Sequence, residues 1–175
     1  MGIVGLGAIG QAVIRRLRGF GSTVLAWNRT PRHMDGVQMV ELDELFARSD
    51  IVSLHTAMTP ETTHIADRDR LASMRAGAAL INTGRGLLVD EAALIDEVCS
   101  GRLNAGLDVF SVEPLRPGHP FLSQENVVLL PHVGSATAST RLAMVNRALE
   151  NLHAGMAGQA LPYCANPEVY PISDS

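Results

Sequence analysis

Gly5, Gly7 and Gly10 stand in the spacing Gly-x-Gly-x-x-Gly within the opening stretch Met1-Gly-Ile-Val-Gly-Leu-Gly-Ala-Ile-Gly10. The spacing suits a buried strand that turns tightly into a helix. Gly5 makes the turn, Gly7 lets backbone approach a pyrophosphate, and Gly10 lets the helix lie close on the strand. The helix would begin at Ala8 and Ile9, and its unpaired N–H groups and positive end would face the phosphates. About 20 residues on, such sites carry an acid that bonds the adenosine ribose of NAD, or an arginine that suits the 2′-phosphate of NADP. Here the stretch is Trp27-Asn28-Arg29-Thr30, with no carboxylate. Arg29 offers a planar charged fork, with Asn28 and Thr30 as neutral hydrogen-bonding neighbours, and this favours NADP(H) over NAD(H). An ordinary loop arginine is the alternative reading. A third candidate is Arg85, flanked by Gly84 and Gly86, where the backbone can bend sharply and project the guanidinium into a cleft.

These groups need a scaffold, and the hydrophobic pattern supplies one. Apolar residues at Ile9, Ala12, Val13, Leu17 and Phe20 make one helical stripe, with Arg15, Arg16 and Arg18 on the solvated face. Short apolar runs at 23–27, 51–54, 78–81, 103–107 and 127–130 have strand length, as expected when helices cover both faces of a parallel sheet. Helices are expected at 42–48, ending near 70–74, from the Asp90 N-cap to Gly101, and as a long segment capped by Thr137 or Ser139. In that last helix Leu142, Val145, Leu149, Leu152 and Met156 form a stripe. The fold class is α/β: a Rossmann-type doubly wound parallel sheet in a single domain over 1–160, followed by a tail over 161–175.

Composition narrows the function. With 175 residues, 46% of them hydrophobic and 18% charged, the chain can bury the core of one domain. No apolar run reaches the roughly 20 residues of a membrane helix, and the N-terminal order of residues is not that of a signal peptide, so the expected location is cytoplasmic. A net charge of −4 with scattered arginines argues against nucleic acid as a partner. Cys99 and Cys164 lack metal-ligand spacing, and no metal is expected.

Four motifs taken together, Gly5-Leu-Gly-Ala-Ile-Gly10, Ile81-Asn-Thr-Gly-Arg-Gly86, Gly106-Leu-Asp-Val-Phe-Ser-Val-Glu-Pro114 and Pro131-His-Val-Gly-Ser-Ala-Thr137, resemble the D-isomer-specific 2-hydroxyacid dehydrogenases. With Asn28-Arg29-Thr30, the chain looks most like the glyoxylate and hydroxypyruvate reductase branch. The resemblance implies an NAD(P)H-dependent reduction of a small 2-oxo acid to the D-2-hydroxy acid. It implies that Arg85 holds the 2-oxo acid, that His132 exchanges a proton with its oxygen, and that Glu113 orients His132. It places Asp108 by the nicotinamide amide, with Thr83, Gly84, Gly134 and the loop from Thr56 through Ala57 to Thr62 lining the cofactor.

Ala57 and Ala76 stand where the family usually has proline. Family members also have a substrate-binding domain, most of which precedes the glycine motif, and a segment there that makes much of the homodimer contact. This chain starts inside the first strand, so a truncated catalytic half is the expectation. A dinucleotide-binding module without turnover and an inert fragment are the alternatives.

Overall fold

The apolar start of the chain becomes β1 (Gly2–Val4), a strand buried along its whole length. Successive side chains of a strand point to opposite faces, so Ile3 and Val4 enter different cores. Ile3 packs with Leu6, Ile14, Val24 and Ala26 on one face. Val4 joins the larger cluster on the other, with Phe46, Leu54, Leu80 and Leu94. A parallel sheet needs both faces covered, and the helices between strands supply the cover.

The computed structural model describes residues 1–169. After β1 come α1 (Ala8–Leu17), β2 (Leu25–Trp27), β3 (Gln38–Met39), α2 (Leu42–Arg48), β4 (Ile51–Leu54), α3 (Arg68–Ser73), β5 (Ala79–Asn82), α4 (Glu91–Cys99), β6 (Asn104–Leu107), β7 (Val127–Leu129) and α5 (Ala138–Met156). The seven strands form one sheet in the order β3-β2-β1-β4-β5-β6-β7. Every pairing is parallel. This is the Rossmann-type doubly wound sheet expected from the sequence. Its strand order reverses between β1 and β4, and a crevice opens at the carboxyl ends of strands at such a switch point.

The chain divides into two compact units, Met1–His132 and Val133–Ser175. All seven strands belong to the first. In the second, α5 is capped by Thr137, whose hydroxyl accepts from the Thr140 amide. Asn151 then exchanges two hydrogen bonds with the Tyr163 backbone, at 3.1 and 3.0 Å. The stripe of Leu142, Val145, Leu149, Leu152 and Met156 forms on α5, but each of these residues is exposed. The last part of the tail expected from 161 onward, including Pro171, lies outside the described residues. Among those residues no helix is long and apolar enough to cross a membrane.

Two local readings differ from expectation. The buried side of α1 carries Gly10 and Ile14, with Val13 and Leu17 packed beside them. Ile9 and Phe20 are 66% and 80% exposed, off that face. Gly10 decides the rotation: a Cβ there would lie 2.0 Å from the Gly5 carbonyl oxygen, so the bare glycine must face the sheet and Ile9 turns outward. The second difference is β3, which the loop chemistry of Pro31 and Gly36 conceals. It pairs by only two residues at the sheet edge, Gln38 with Leu25 and Met39 with Ala26.

Gly10→Ala forces α1 off β1, and overpacking of this kind costs about 1–3 kcal/mol. Chemical denaturation should show that loss. Gly19→Ala, where a Cβ meets nothing within 4 Å, should not show it.

Candidate functional site

The carboxyl ends of β1 and β4 meet at the switch point. Gly5 turns the chain there with φ +101°, in a region where L side chains are strained. Its amide donates to the Trp27 carbonyl at 2.8 Å, and a Cβ on Gly5 would sit 2.8 Å from the His55 carbonyl. Gly7 differs from its two neighbours in the motif. A Cβ on Gly7 would meet no protein atom within 4 Å, so it borders open space at the start of α1. No side chain caps that helix, and its first turn holds no acid, leaving its N–H groups and positive end available to an anion. Ala8 and Ile9, both exposed, form that first turn.

The turn itself is clamped by side chains. Asn28 Oδ1 accepts from the Leu6 amide at 2.8 Å, and Asn28 Nδ2 donates to the Thr30 carbonyl at 2.7 Å. The Leu6 carbonyl accepts from Gln11 Nε2 at 2.9 Å and from Arg32 Nη1 at 3.3 Å. Both polar ends of the Asn28 amide are thus engaged by backbone. Gln11 and Arg32 escape sequence reasoning, because nothing in their spacing marks them as partners of one peptide group.

A cleft of about 410 Å³ runs from this turn past Asn28, Arg29 and Thr30 to Thr56, Ala57 and Thr62. Arg29 is largely exposed, with its Nη1 4.0 Å from Glu61 Oε2. Thr62 staples the 57–62 loop: its hydroxyl donates to the Ala57 carbonyl at 2.8 Å and accepts from the Thr59 amide at 2.7 Å. Thr56 Oγ1 is shielded from solvent and has no hydrogen-bond partner, an arrangement that costs free energy until something bonds it. His55 Nε2 lies 2.9 Å from Ser53 Oγ, and burial holds the imidazole below its ordinary pKa of 6.5.

A second cleft continues from Ile9, Thr56 and Ala57 to Thr83, Gly84 and Arg85. Asn82, itself buried, builds the Arg85 turn. Its Oδ1 accepts from the Gly84 amide at 3.0 Å, and its Nδ2 donates to the Arg85 carbonyl at 2.9 Å. The flanking glycines work differently from expectation. Neither Gly84 nor Gly86 has positive φ; a Cβ on Gly86 would overlap the Phe110 carbonyl oxygen at 1.9 Å. Close approach of two backbones, not a sharp bend, is what requires glycine at 86, whereas a Cβ on Gly84 would come 3.1 Å from the Leu88 side chain.

Glu113 and His132 come together across 19 residues of sequence, with His132 Nδ1 2.8 Å from Glu113 Oε2. The other carboxylate oxygen accepts from the Phe110 amide at 3.0 Å. The bond from His132 lowers the Glu113 pKa most, followed by the bond from Phe110 and the charges of His132 and Arg85. His132 also holds φ +54°, a left-handed backbone that residues other than glycine adopt rarely and often at functional sites. Both side chains line an apolar groove with Phe110, Leu115, Leu122 and Leu130. Asp108 is buried at the end of β6. Gly134 belongs to the second unit. Among the described residues no three His, Cys, Asp or Glu side chains are grouped to hold a metal.

The open space at Gly7, the uncapped and acid-free start of α1 and the unpartnered Thr56 hydroxyl all fit a dinucleotide. A parallel doubly wound sheet with this glycine turn at its switch point is a Rossmann-type dinucleotide-binding domain. Residues 1–134 match the D-isomer specific 2-hydroxyacid dehydrogenase NAD-binding domain, and the chain belongs to this family. It is 44% identical to the glyoxylate/hydroxypyruvate reductase B of Serratia proteamaculans, over 97% of this chain and 54% of that protein. Identity to the glyoxylate reductase of Korarchaeum cryptofilum is 43%, over 98% and 53%. Among solved structures, an NADPH-dependent glyoxylate/hydroxypyruvate reductase from Sinorhizobium meliloti, in complex with NADP and malonate, superposes with a TM-score of 0.89. Its identity is 38%, over 95% of this chain and 53% of that one. The chain therefore spans about half the length of these relatives.

The lowered Glu113 pKa fixes the sign of its contribution to stability. The unfolded carboxyl binds its proton near the ordinary 4.5 and the folded one only at lower pH. The stabilisation is therefore complete above 4.5 and is lost as pH falls through the lowered value. Carbonyl-detected NMR should place the Glu113 midpoint below 4.5, and Glu113→Gln should flatten the acid limb of the Tm-versus-pH curve.

Proposed function

We propose that this chain is the dinucleotide-binding and proton-transferring half of an NADPH-dependent reductase of small 2-oxo acids of the glyoxylate and hydroxypyruvate type. The observation that carries the reading is the 2.8 Å Glu113–His132 pair, on whose carboxylate the charge of Arg85 also acts. The dinucleotide would lie on Gly5, Gly7, Ala8, Ile9 and Gly10, with Thr56, Ala57, Thr62, Thr83, Gly84 and Asp108 along its length. When bound, it supplies a hydride to the keto carbon.

The chain's own groups do the rest. Glu113 holds the Nδ1 side of the imidazole, which leaves Nε2 to face the keto oxygen. His132 gives that oxygen a proton in reduction and takes it back in oxidation, a task for a group whose unperturbed pKa is about 6.5. Arg85 pairs with the substrate carboxylate and polarises the keto group, since its guanidinium stays charged and donates in a fork. NADP(H) is favoured over NAD(H) because Arg29 is exposed at the ribose end of the cleft and no acid occupies that stretch, Trp27 to Thr30. Asn28 and Thr30 complete that end, Asn28 chiefly by shaping the turn. In this reading the setting is cytoplasmic.

One observation favours a second reading, a dinucleotide-binding module without turnover. Glu113 and His132 are 36% and 48% exposed, and water at that face weakens every charge interaction in the site.

Thermal-shift titration should show a larger rise in Tm with NADPH than with NADH, since a ligand of the native state alone stabilises it. Arg29→Ala should weaken NADPH roughly ten- to hundredfold, the value of one or two charge-assisted bonds, and leave NADH unchanged. Equal stabilisation by the two cofactors would overturn the Arg29 assignment. NADPH consumption with glyoxylate should fall about 10²–10⁴-fold in His132→Ala. Tight NADPH binding with no consumption selects the module without turnover.

A further inference from the structure

Glu91 opens α4 and lies far from the cofactor turn in the sequence, yet its carboxylate is spent on the loop that carries Glu113. Glu91 Oε2 accepts from the Ser111 amide at 2.9 Å, and Oε1 accepts from the Ser111 hydroxyl at 2.5 Å. Glu91 is not a capping group of its own helix: the α4 cap is Asp90, whose side chain accepts from the Ala93 amide. His119 closes the cluster from outside. Its Nδ1 accepts from the Phe121 amide at 3.3 Å, which assigns the neutral ring's proton to Nε2, 3.6 Å from Glu91 Oε1. The ring also packs on Phe121, with centroids 5.0 Å apart.

The amide that Glu91 holds belongs to the same peptide group that Gly86 presses against. A Cβ on Gly86 would lie 1.9 Å from the Phe110 oxygen, 2.0 Å from the Phe110 carbonyl carbon and 2.5 Å from the Ser111 nitrogen. One residue before Gly86 is Arg85. On the other side, the Phe110 amide donates to Glu113 Oε1, and Glu113 Oε2 meets His132. Two consecutive peptide groups that share the Phe110 Cα thus link the turn bearing Arg85 to the loop bearing Glu113: Phe110–Ser111 lies against Gly86, and Val109–Phe110 gives its N–H to Glu113. Glycine permits the contact, and two bonds to one carboxylate keep the peptide from rotating away.

We propose that Glu91 is a positioning residue: by pinning the Phe110–Ser111 peptide against Gly86, it sets where Glu113 stands against His132 and both against Arg85. The assignment rests on the reading of Glu113 and His132 as the proton-transfer pair. Its structural content, a Glu113 carboxylate placed through Glu91, can be measured without turnover.

The test follows the Glu113 carboxyl and the Phe110 amide by NMR across an acid titration of the 175-residue chain. In Glu91→Ala the Glu113 midpoint should rise towards the ordinary 4.5, and the titration shift of the Phe110 amide should shrink. Ser111→Ala, which removes one of the two bonds without touching α4, should move both signals the same way by less. It keeps the test decisive if Glu91→Ala does not fold. Glu91→Gln, which retains one acceptor, should restore much of the parent behaviour. Asp90→Ala removes the α4 cap and should lower Tm while leaving both signals in place.

Where NADPH is consumed, Glu91→Ala should lower kcat on the order of tenfold to a hundredfold, the scale of a misplaced catalytic group, with KM for NADPH unchanged. Unmoved Glu113 and Phe110 signals in Glu91→Ala and Ser111→Ala would overturn the proposal, as would equal movement in Asp90→Ala. A chain that consumes no NADPH yet shows the Glu91-dependent signals counts against the reductase reading and leaves the positioning role standing.

Discussion

The contact between Gly10 and the Gly5 carbonyl is the constraint on which the cofactor face of this protein depends. No side chain fits there, so α1 lies against β1 at the distance of two bare backbones. That approach fixes the rotation of α1, which sends Ile14 into the core and Ile9 outward. It also fixes where the helix begins. Gly7 is left facing open space with the first N–H groups of the helix around it, and an anion can reach them without a side chain in the way. Gly5, at a positive φ that strains any L side chain and against the His55 backbone, ties the same turn to β4. One steric requirement therefore sets both the packing of the first core and the direction of the helix dipole.

The rest of the site repeats this economy. Each loop that carries a candidate functional group is held through its peptide groups by polar side chains. Asn28, Gln11 and Arg32 hold Leu6. Asn82 holds the Arg85 turn, Thr62 holds its own loop, and Glu91 holds Ser111. Buried peptide groups must be paired, and pairing them to fixed side chains makes irregular segments as well placed as strands. The candidate groups themselves stay exposed, at Arg85, Glu113 and His132. Unit charges 4 Å apart interact by about 1 kcal/mol in water and about 4 kcal/mol at an effective dielectric near 20. The same three groups gain strength when a surface or a substrate displaces the water.

Much of the fold was legible because periodicity and glycine spacing are local signals. The strand runs, the α4 cap at Asp90 and the α5 cap at Thr137 each follow from a few neighbouring residues. Where local signals failed, a contact from elsewhere had taken over. The phase of α1 departs from its apolar stripe because Gly10 outranks Ile9 and Phe20 for the buried face. The edge strand at Gln38 was hidden because its pairing comes from β2 and not from its own composition. Gly86 stands out in the sequence, but the reason for it does not, since sequence cannot show that the Phe110 oxygen lies 1.9 Å from an imagined Cβ there.

By itself, then, the sequence determined the family, the parallel sheet and the glycine turn, and it marked the candidate residues for chemistry, because residue type at short spacing encodes all of these. Only the tertiary structure decided what those residues touch. It brought His132 to Glu113 across 19 positions, put His132 in a left-handed backbone, left Thr56 Oγ1 without a partner beside the cleft, and joined Glu91 to the loop of Glu113. The physical reason is that hydrogen bonds and steric exclusion act at a few ångströms in space, and distances of that size between remote residues exist only once the sheet has set its strands side by side.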